Sequence, residues 1–200
     1  MLKPGRTGTG LPAAPVEATE AMEVRLVGLV SEEDLHAFET LYRVYFPRLA
    51  RFLGRMTRSA HLIEEIVNDT MLVIWQKADT FNGSSKVSTW VFAIAYRKAM
   101  KAIRAFDDPV EFDHDERPAL DADEPEHQLN RQQVHKMLTR ALDGLPLEQR
   151  NVVNLAYYHG MGYEEIAEVM DCPVNTVKTR MFHARRRMKT VLSPHVEEMR

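Results

Sequence analysis

The chain carries one cysteine, Cys172, in 200 residues, so it can form no internal disulfide and has no thiol cluster to hold a structural zinc. A reducing, cytoplasmic setting is expected. No apolar run approaches the roughly 18 to 20 residues needed to cross a bilayer, and the amino terminus lacks the basic start and apolar core of a secretory signal. Membrane insertion is therefore not expected. No segment alternates as a β-strand, no internal repeat is visible, and the histidines show no ligand spacing such as HExxH, so neither a metal nor another cofactor is expected. What is present is 44% hydrophobic and 28% charged residues, the composition of a soluble globular protein of one ordinary or two small domains.

The net charge of −3 conceals a strong asymmetry. From Asp107 to Glu126, ten acidic residues face a single basic one, Arg117, a local balance of −9 that leaves +6 for the remainder. Much of that excess lies in two stretches free of carboxylates. One holds Lys86, Arg97, Lys98, Lys101 and Arg104; the other holds Lys178, Arg180, Arg185, Arg186, Arg187 and Lys189. Both are candidate polyanion surfaces.

Residues 1–25 are rich in Gly, Pro, Thr and Ala and are expected to form a flexible tail. A first helical unit is expected over 26–106. Ser31 with Glu32, Glu33 and Asp34 gives a helix-start signal, followed by a stripe of Leu35, Phe38, Leu41, Tyr42, Tyr45, Phe46 and Leu49. A second stripe runs through Leu62, Ile63, Ile66, Val67, Thr70, Met71, Ile74 and Trp75. After the break at Asn82-Gly83-Ser84-Ser85, a third helix is expected from near Ser88, with Trp90, Val91, Ile94 and Ala95 on its apolar side. The acidic, proline-containing stretch 107–127 reads as an extended linker. A second helical unit follows over 128–194, with Pro146 expected just inside the start of one of its helices. The fold class is thus all-α, with two small helical domains on a flexible acidic tether.

The last two helices of that unit carry the clearest chemistry. Tyr163, Ile166, Ala167 and Met170 share one face of a short helix, Asp171-Cys172-Pro173 breaks it, and Val174, Val177, Met181, Ala184 and Met188 form the buried stripe of the next. That is a helix-turn-helix whose second helix presents Asn175, Thr176, Lys178, Thr179, Arg180, Phe182, His183 and Arg186 to duplex DNA. Polar groups near its start suit base edges, whereas the later arginines suit phosphates, which add affinity without reading sequence.

Three segments in order then resemble the bacterial RNA polymerase sigma factors of the extracytoplasmic-function group. They are LIEEIVNDTMLVIWQKADTF, STWVFAIAYRKAMKAIR and LPLEQRNVVNLAYYHGMGYEEIAEVMDCPVNTVKTRMFHARRRM. The resemblance implies that 26–106 is a region 2 domain, which binds core polymerase and recognises and melts the minus-ten element. It implies that 128–194 is a region 4 domain that reads the minus-thirty-five element. Glu65, Asn68 and Asp69 would meet core polymerase; Lys86, Ser88, Arg97, Lys101 and Arg104 would hold the melted strand. The sequence departs from the family's pattern at Asn68, where glutamine is usual, and at Arg97 and Lys101, where asparagine and an acidic residue are common. The implied partners are core RNA polymerase, promoter DNA in double-stranded and melted form, and an anti-sigma factor that could hold the protein at the inner membrane face. Stress-responsive initiation without covalent chemistry of its own is the implied function. Two other readings follow from the residues: a stand-alone helix-turn-helix regulator, and a metal-dependent nuclease using the acidic stretch, which lacks positioned ligands.

Overall fold

A computed structural model describes residues 16–106 and 137–198 of the chain, and all regular structure among them is helical. The expected linker 107–127, residues 1–15 of the expected tail and the opening of the second unit lie outside the described residues.

The first difference from expectation is at the amino end. Residues 16–25 are not tail but the first part of α1, Val16–Ser31. Val27 and Val30 bury almost completely, and Leu26 and Leu29 pack beside them. Two glutamates of this segment are also anchored. The buried carboxylate of Glu23 accepts a hydrogen bond from the Tyr45 hydroxyl at 2.7 Å and pairs with Arg48 at 2.9 Å. The Glu20 carboxylate accepts from the backbone N–H of Val87 at 3.0 Å. Burying a carboxylate is costly unless it is paired, and here both pairings dock α1.

The expected helix start at Ser31 divides differently. Ser31 closes α1, its hydroxyl donating to the Gly28 carbonyl, while Asp34 caps α2, Leu35–Leu53, by accepting from the N–H groups of His36 and Ala37. In α2 the fully buried residues Leu41, Tyr45, Leu49 and Phe52 recur at helical spacing. Ser59 caps α3, Ala60–Lys77, which adds Leu62, Ile66, Val67, Thr70, Met71 and Ile74 to the same core. A 3-10 turn, Ala78–Thr80, and a loop at 81–86 lead to α4, Val87–Phe106.

The second unit begins with helical residues 137–143, here α5, followed by α6, Leu147–Tyr158; α7, Tyr163–Met170; and α8, Val174–Glu198. Pro146 caps α6 from just outside, one residue earlier than expected. Arg150 ties the α5–α6 turn to α6 by donating to the carbonyls of Asp143 and Leu145 at 2.9 and 3.2 Å. Leu155, Ile166, Val169, Val177, Met181 and Ala184 form the core of this unit.

The two units are in contact. Arg150 also reaches the Arg55 carbonyl at 3.2 Å, and Asn154 Nδ2 donates to the Phe52 carbonyl at 3.2 Å, both at the end of α2. The His159 ring stands against Phe92 and Phe52, with centroids 4.7 and 5.9 Å apart. As a result α4 is enclosed on two sides. Val91, Phe92, Ala93, Ile94, Ala95 and Tyr96 are six consecutive residues no more than 7% exposed, far more than one amphipathic stripe. The stripe expected from sequence supplies the inward half; Phe92, Ala93 and Tyr96 supply the rest. The seam is polar, since Asn154 Oδ1 and His159 Nε2 are buried without a hydrogen-bond partner. Each such atom costs about 1 to 3 kcal/mol.

Candidate nucleic-acid and polymerase interfaces

The turn between α7 and α8 is fixed by local chemistry. The Glu165 carboxylate caps the start of α7 by accepting from the Gly162 N–H at 2.8 Å, and Glu164 and Glu165 meet the positive end of the α7 dipole. The helix ends at Asp171, whose φ of 49° is left-handed; a short polar side chain tolerates that conformation better than most. The Cys172 N–H then donates to the Ala167 carbonyl at 3.0 Å, and Pro173 opens α8, its carbonyl accepting from Thr176 at 2.8 Å. Ile166, Ala167 and Met170 pack against Val177, Met181 and Ala184, which turns the opposite side of α8 outward.

On that outward side Asn175, Lys178, Thr179, Phe182, His183 and Arg186 are all exposed, and Thr176 is half-buried. Phe182, at 63% exposed, is a large apolar ring held edge-on to His183 at 5.5 Å. Apolar contact with a thymine methyl is one use for such a ring. Arg180 is placed differently. It is half-buried, paired with Glu148 on α6 and within 3.5 Å of the Cys172 sulfur, so it braces the domain interior and is not turned toward the outward face. Arg185 donates to the Tyr157 hydroxyl at 2.9 Å on the flank of the helix.

The second surface is built on α3 and α4. Gly83, at φ 70°, supplies the left-handed residue of the 81–86 loop, and Asn82 Oδ1 accepts from the Ser84 N–H at 2.9 Å. Beside this loop lies a cleft of about 360 Å³ lined by Val73, Lys77, Thr80, Trp90, Ile94, Arg97 and Lys98. Trp90 forms its apolar wall, tilted against Phe81 at 5.3 Å. Lys101 and Arg104 are exposed further along α4, Lys86 is exposed on the loop, and Ser88 is half-buried. An aromatic wall ringed by cations suits a base with its phosphate. Lys77 and Thr80 come from the preceding helix end. A sequence scan confined to α4 misses them, although 90, 94, 97, 98 and 101 fall on one helical face.

The third surface is the outer side of α3, where Glu65, Asn68 and Asp69 are exposed together. Two are oriented by neighbours: Asn68 Oδ1 accepts from the Tyr42 hydroxyl at 2.9 Å, and Asp69 pairs with Lys98 at 2.8 Å. Leu72, 51% exposed, continues the same row one turn on. It went unnoticed in the sequence because it interrupts no pattern. Among the described residues no group of His, Cys, Asp or Glu could hold a metal ion, and no helix is long and apolar enough to cross a membrane.

Comparison with known proteins agrees with this arrangement. The family described as Sigma-70 region 2 matches residues 41–107, and Sigma-70, region 4 matches 135–188. The chain is 27% identical over 190 residues to the RNA polymerase sigma-H factor of Pseudomonas aeruginosa, covering 90% of this chain and 98% of that protein. It is 27% identical over 188 residues to the ECF RNA polymerase sigma-E factor of Haemophilus influenzae, covering 88% and 98% respectively. Its fold is that of CnrH, solved in complex with the cytosolic domain of CnrY, at a TM-score of 0.64 and 20% identity over 86% of this chain and 98% of that one. It is also that of the sigma factor RpoE in complex with the anti-sigma factor NepR from Bartonella quintana, at 0.62 and 23% identity over 78% and 96%. The chain belongs to the sigma-70 family of RNA polymerase sigma factors, in its extracytoplasmic-function group.

Proposed function

We propose that the protein binds core RNA polymerase and directs it to specific promoters, with 26–106 acting as the polymerase-binding and strand-melting domain and 128–194 as the upstream-element reader. Helix α1 belongs to the first of these. In this reading the α8 residues Asn175, Lys178, Thr179, Phe182, His183 and Arg186 meet the minus-thirty-five duplex. Lys86, Ser88, Arg97, Lys101 and Arg104, joined by Trp90, Lys77 and Lys98 of the cleft, receive the melted minus-ten strand. Glu65, Asn68 and Asp69, with Leu72, form the polymerase contact. Separating a base step costs a few kcal/mol, and capture of the exposed base offsets it.

The observation that carries this reading is the presence of an exposed helix-turn-helix face and an aromatic, cation-ringed cleft on the same chain. A stand-alone regulator needs the first but not the second. The protein supplies binding and positioning, while the phosphodiester chemistry is the polymerase's. Because the related factor RpoE was solved with an anti-sigma factor, a similar partner is proposed here, and a membrane-bound one would hold the protein at the inner face.

Run-off transcription with core enzyme and genomic fragments tests the proposal. Transcripts from discrete start sites should require both core enzyme and this protein. Tight protection of duplex promoter DNA by the protein alone, with no change on adding core, would favour the stand-alone regulator instead.

A further inference from the structure

The outward face of α8 is not uniformly cationic. Asn175, Thr179, Phe182 and Arg186 fall at i, i+4, i+7 and i+11, so they follow one line along the helix, and all four are exposed. The middle of that line is apolar. The Thr179 hydroxyl donates to the Asn175 carbonyl at 2.9 Å, which leaves the side chain a methyl and no donor for anything outside the helix. Phe182 follows one turn on, 63% exposed, with the His183 ring edge-on to it at 5.5 Å. It takes no part in the core, to which α8 contributes Val177, Met181 and Ala184. Lys178 and His183 border this strip on its two sides.

Such a strip limits the DNA it fits, resting on the reading of α8 as the upstream-element helix. On the floor of the major groove the C5-methyl of thymine is the one apolar group, while the other base-edge groups are hydrogen-bond donors or acceptors. A purine edge pressed against Phe182 would lose water without gaining a partner, which burial penalises. A thymine methyl in the same place removes apolar surface from water on both sides. Cytosine lacks that methyl, and 5-methylcytosine restores it. The edge contact from His183 restricts the Phe182 ring before DNA arrives, so less side-chain freedom is lost on binding.

We propose that Phe182 and the Thr179 methyl read the C5-methyl groups of pyrimidines: they select thymine within the upstream element and accept 5-methylcytosine, but not cytosine, in its place. Side chains three apart on a helix stand about 5 to 6 Å from each other, and successive bases rise by about 3.4 Å, so the two methyls read lie one or two base pairs apart. Methylation of a cytosine at either position therefore strengthens promoter binding.

The test uses the full chain with core enzyme and three copies of one random-sequence duplex pool, made with thymidine, with deoxyuridine, or with thymidine plus 5-methylcytosine. Deoxyuridine keeps every base pair and lacks only the methyl. The fraction retained should be about fourfold higher for the thymidine pool than for the deoxyuridine pool, the worth of about one buried methyl. Elements recovered from the third pool should carry 5-methylcytosine at positions where those from the first carry thymine. When a recovered element is rebuilt with one deoxyuridine at a time, the loss should fall at one or two thymines. F182A, at an exposed position outside the core, should bind thymidine and deoxyuridine alike at one of them while still binding core enzyme, and F182L should keep part of the discrimination. T179S retains the bond to Asn175 and removes only the methyl, so it should abolish the preference at the other thymine alone. Failure to enrich any element, a parent indifferent to deoxyuridine at every position, or a preference that persists in both F182A and T179S would overturn the methyl reader. Core-dependent transcription that survives such a result would leave the sigma-factor reading standing.

Discussion

Acid should loosen the seam between the two units through one side chain, His159. Its ring is held at a pKa of about 4 by burial first, and then by the positive charges of Arg48 and Arg51; a free imidazole titrates near 6.5. Arg48 is itself paired with Glu23, and the ring's other neighbours, Phe52 and Phe92, do not titrate. A depressed pKa means the docked form favours the neutral ring. Its contribution is complete above about pH 6.5 and is lost as the pH falls toward 4. At about pH 5 a released ring is almost fully protonated and the docked ring almost fully neutral, a bias of about 30-fold or 2 kcal/mol against docking. Because water reaches part of the ring, a loss of about 1 to 2 kcal/mol is expected. Carboxylates elsewhere also titrate in this range, so the measurement is a difference. Urea unfolding of the parent and of H159F is compared at about pH 5 and about pH 7.5. Phenylalanine fills the same slot between the two rings without a proton to gain, so the parent should lose about 1 to 2 kcal/mol more than the variant on acidification. Equal losses, or a His159 resonance that titrates near 6.5 in the full chain, would refute the reasoning.

Three further outcomes follow from the same geometry. E23Q leaves Arg48 without its carboxylate and weakens the acceptor for Tyr45, a hydroxyl that burial and Glu23 push well above its ordinary range; a loss of about 2 kcal/mol in urea unfolding is expected, less than for a fully buried pair because Arg48 is partly exposed. K178A with H183A should weaken binding of the upstream element about tenfold or more while core affinity, read by pull-down, stays unchanged, since each lost base contact removes about 1 to 3 kcal/mol. E65A with D69A should lower core affinity while upstream-duplex binding persists, and an unaltered pull-down would count against the α3 surface; the change also frees Lys98, so a small gain in single-strand binding is expected.

The helical pattern was readable wherever a face had a single environment. The α2 stripe through Leu41, Tyr45 and Leu49 and the α7–α8 corner around Asp171-Cys172-Pro173 each follow from one periodicity and one break. Helix α1 was not readable, because its docking depends on Glu20 and Glu23. A carboxylate looks the same in sequence whether it faces water or a tyrosine twenty-two residues away. Helix α4 was half readable. Trp90, Val91, Ile94 and Ala95 show the inward stripe, whereas Phe92 and Tyr96 make sense only once a second unit lies against them. Arg180 illustrates the limit for site residues. Its place among exposed cations on α8 is plain from spacing, but Glu148, thirty-two residues earlier, draws it inward. Long-range pairing decides these cases, and periodicity carries none of it.

The two carboxylates of α1 grip different helices, Glu20 the first residue of α4 and Glu23 the middle of α2. The amino-terminal helix is thereby a bracket that braces the 81–86 loop from behind, although it bears none of the residues proposed to meet nucleic acid. A change that loosens α1, such as loss of the Glu20 carboxylate, is therefore expected to reach the start of α4 at a distance from every residue proposed to meet a base.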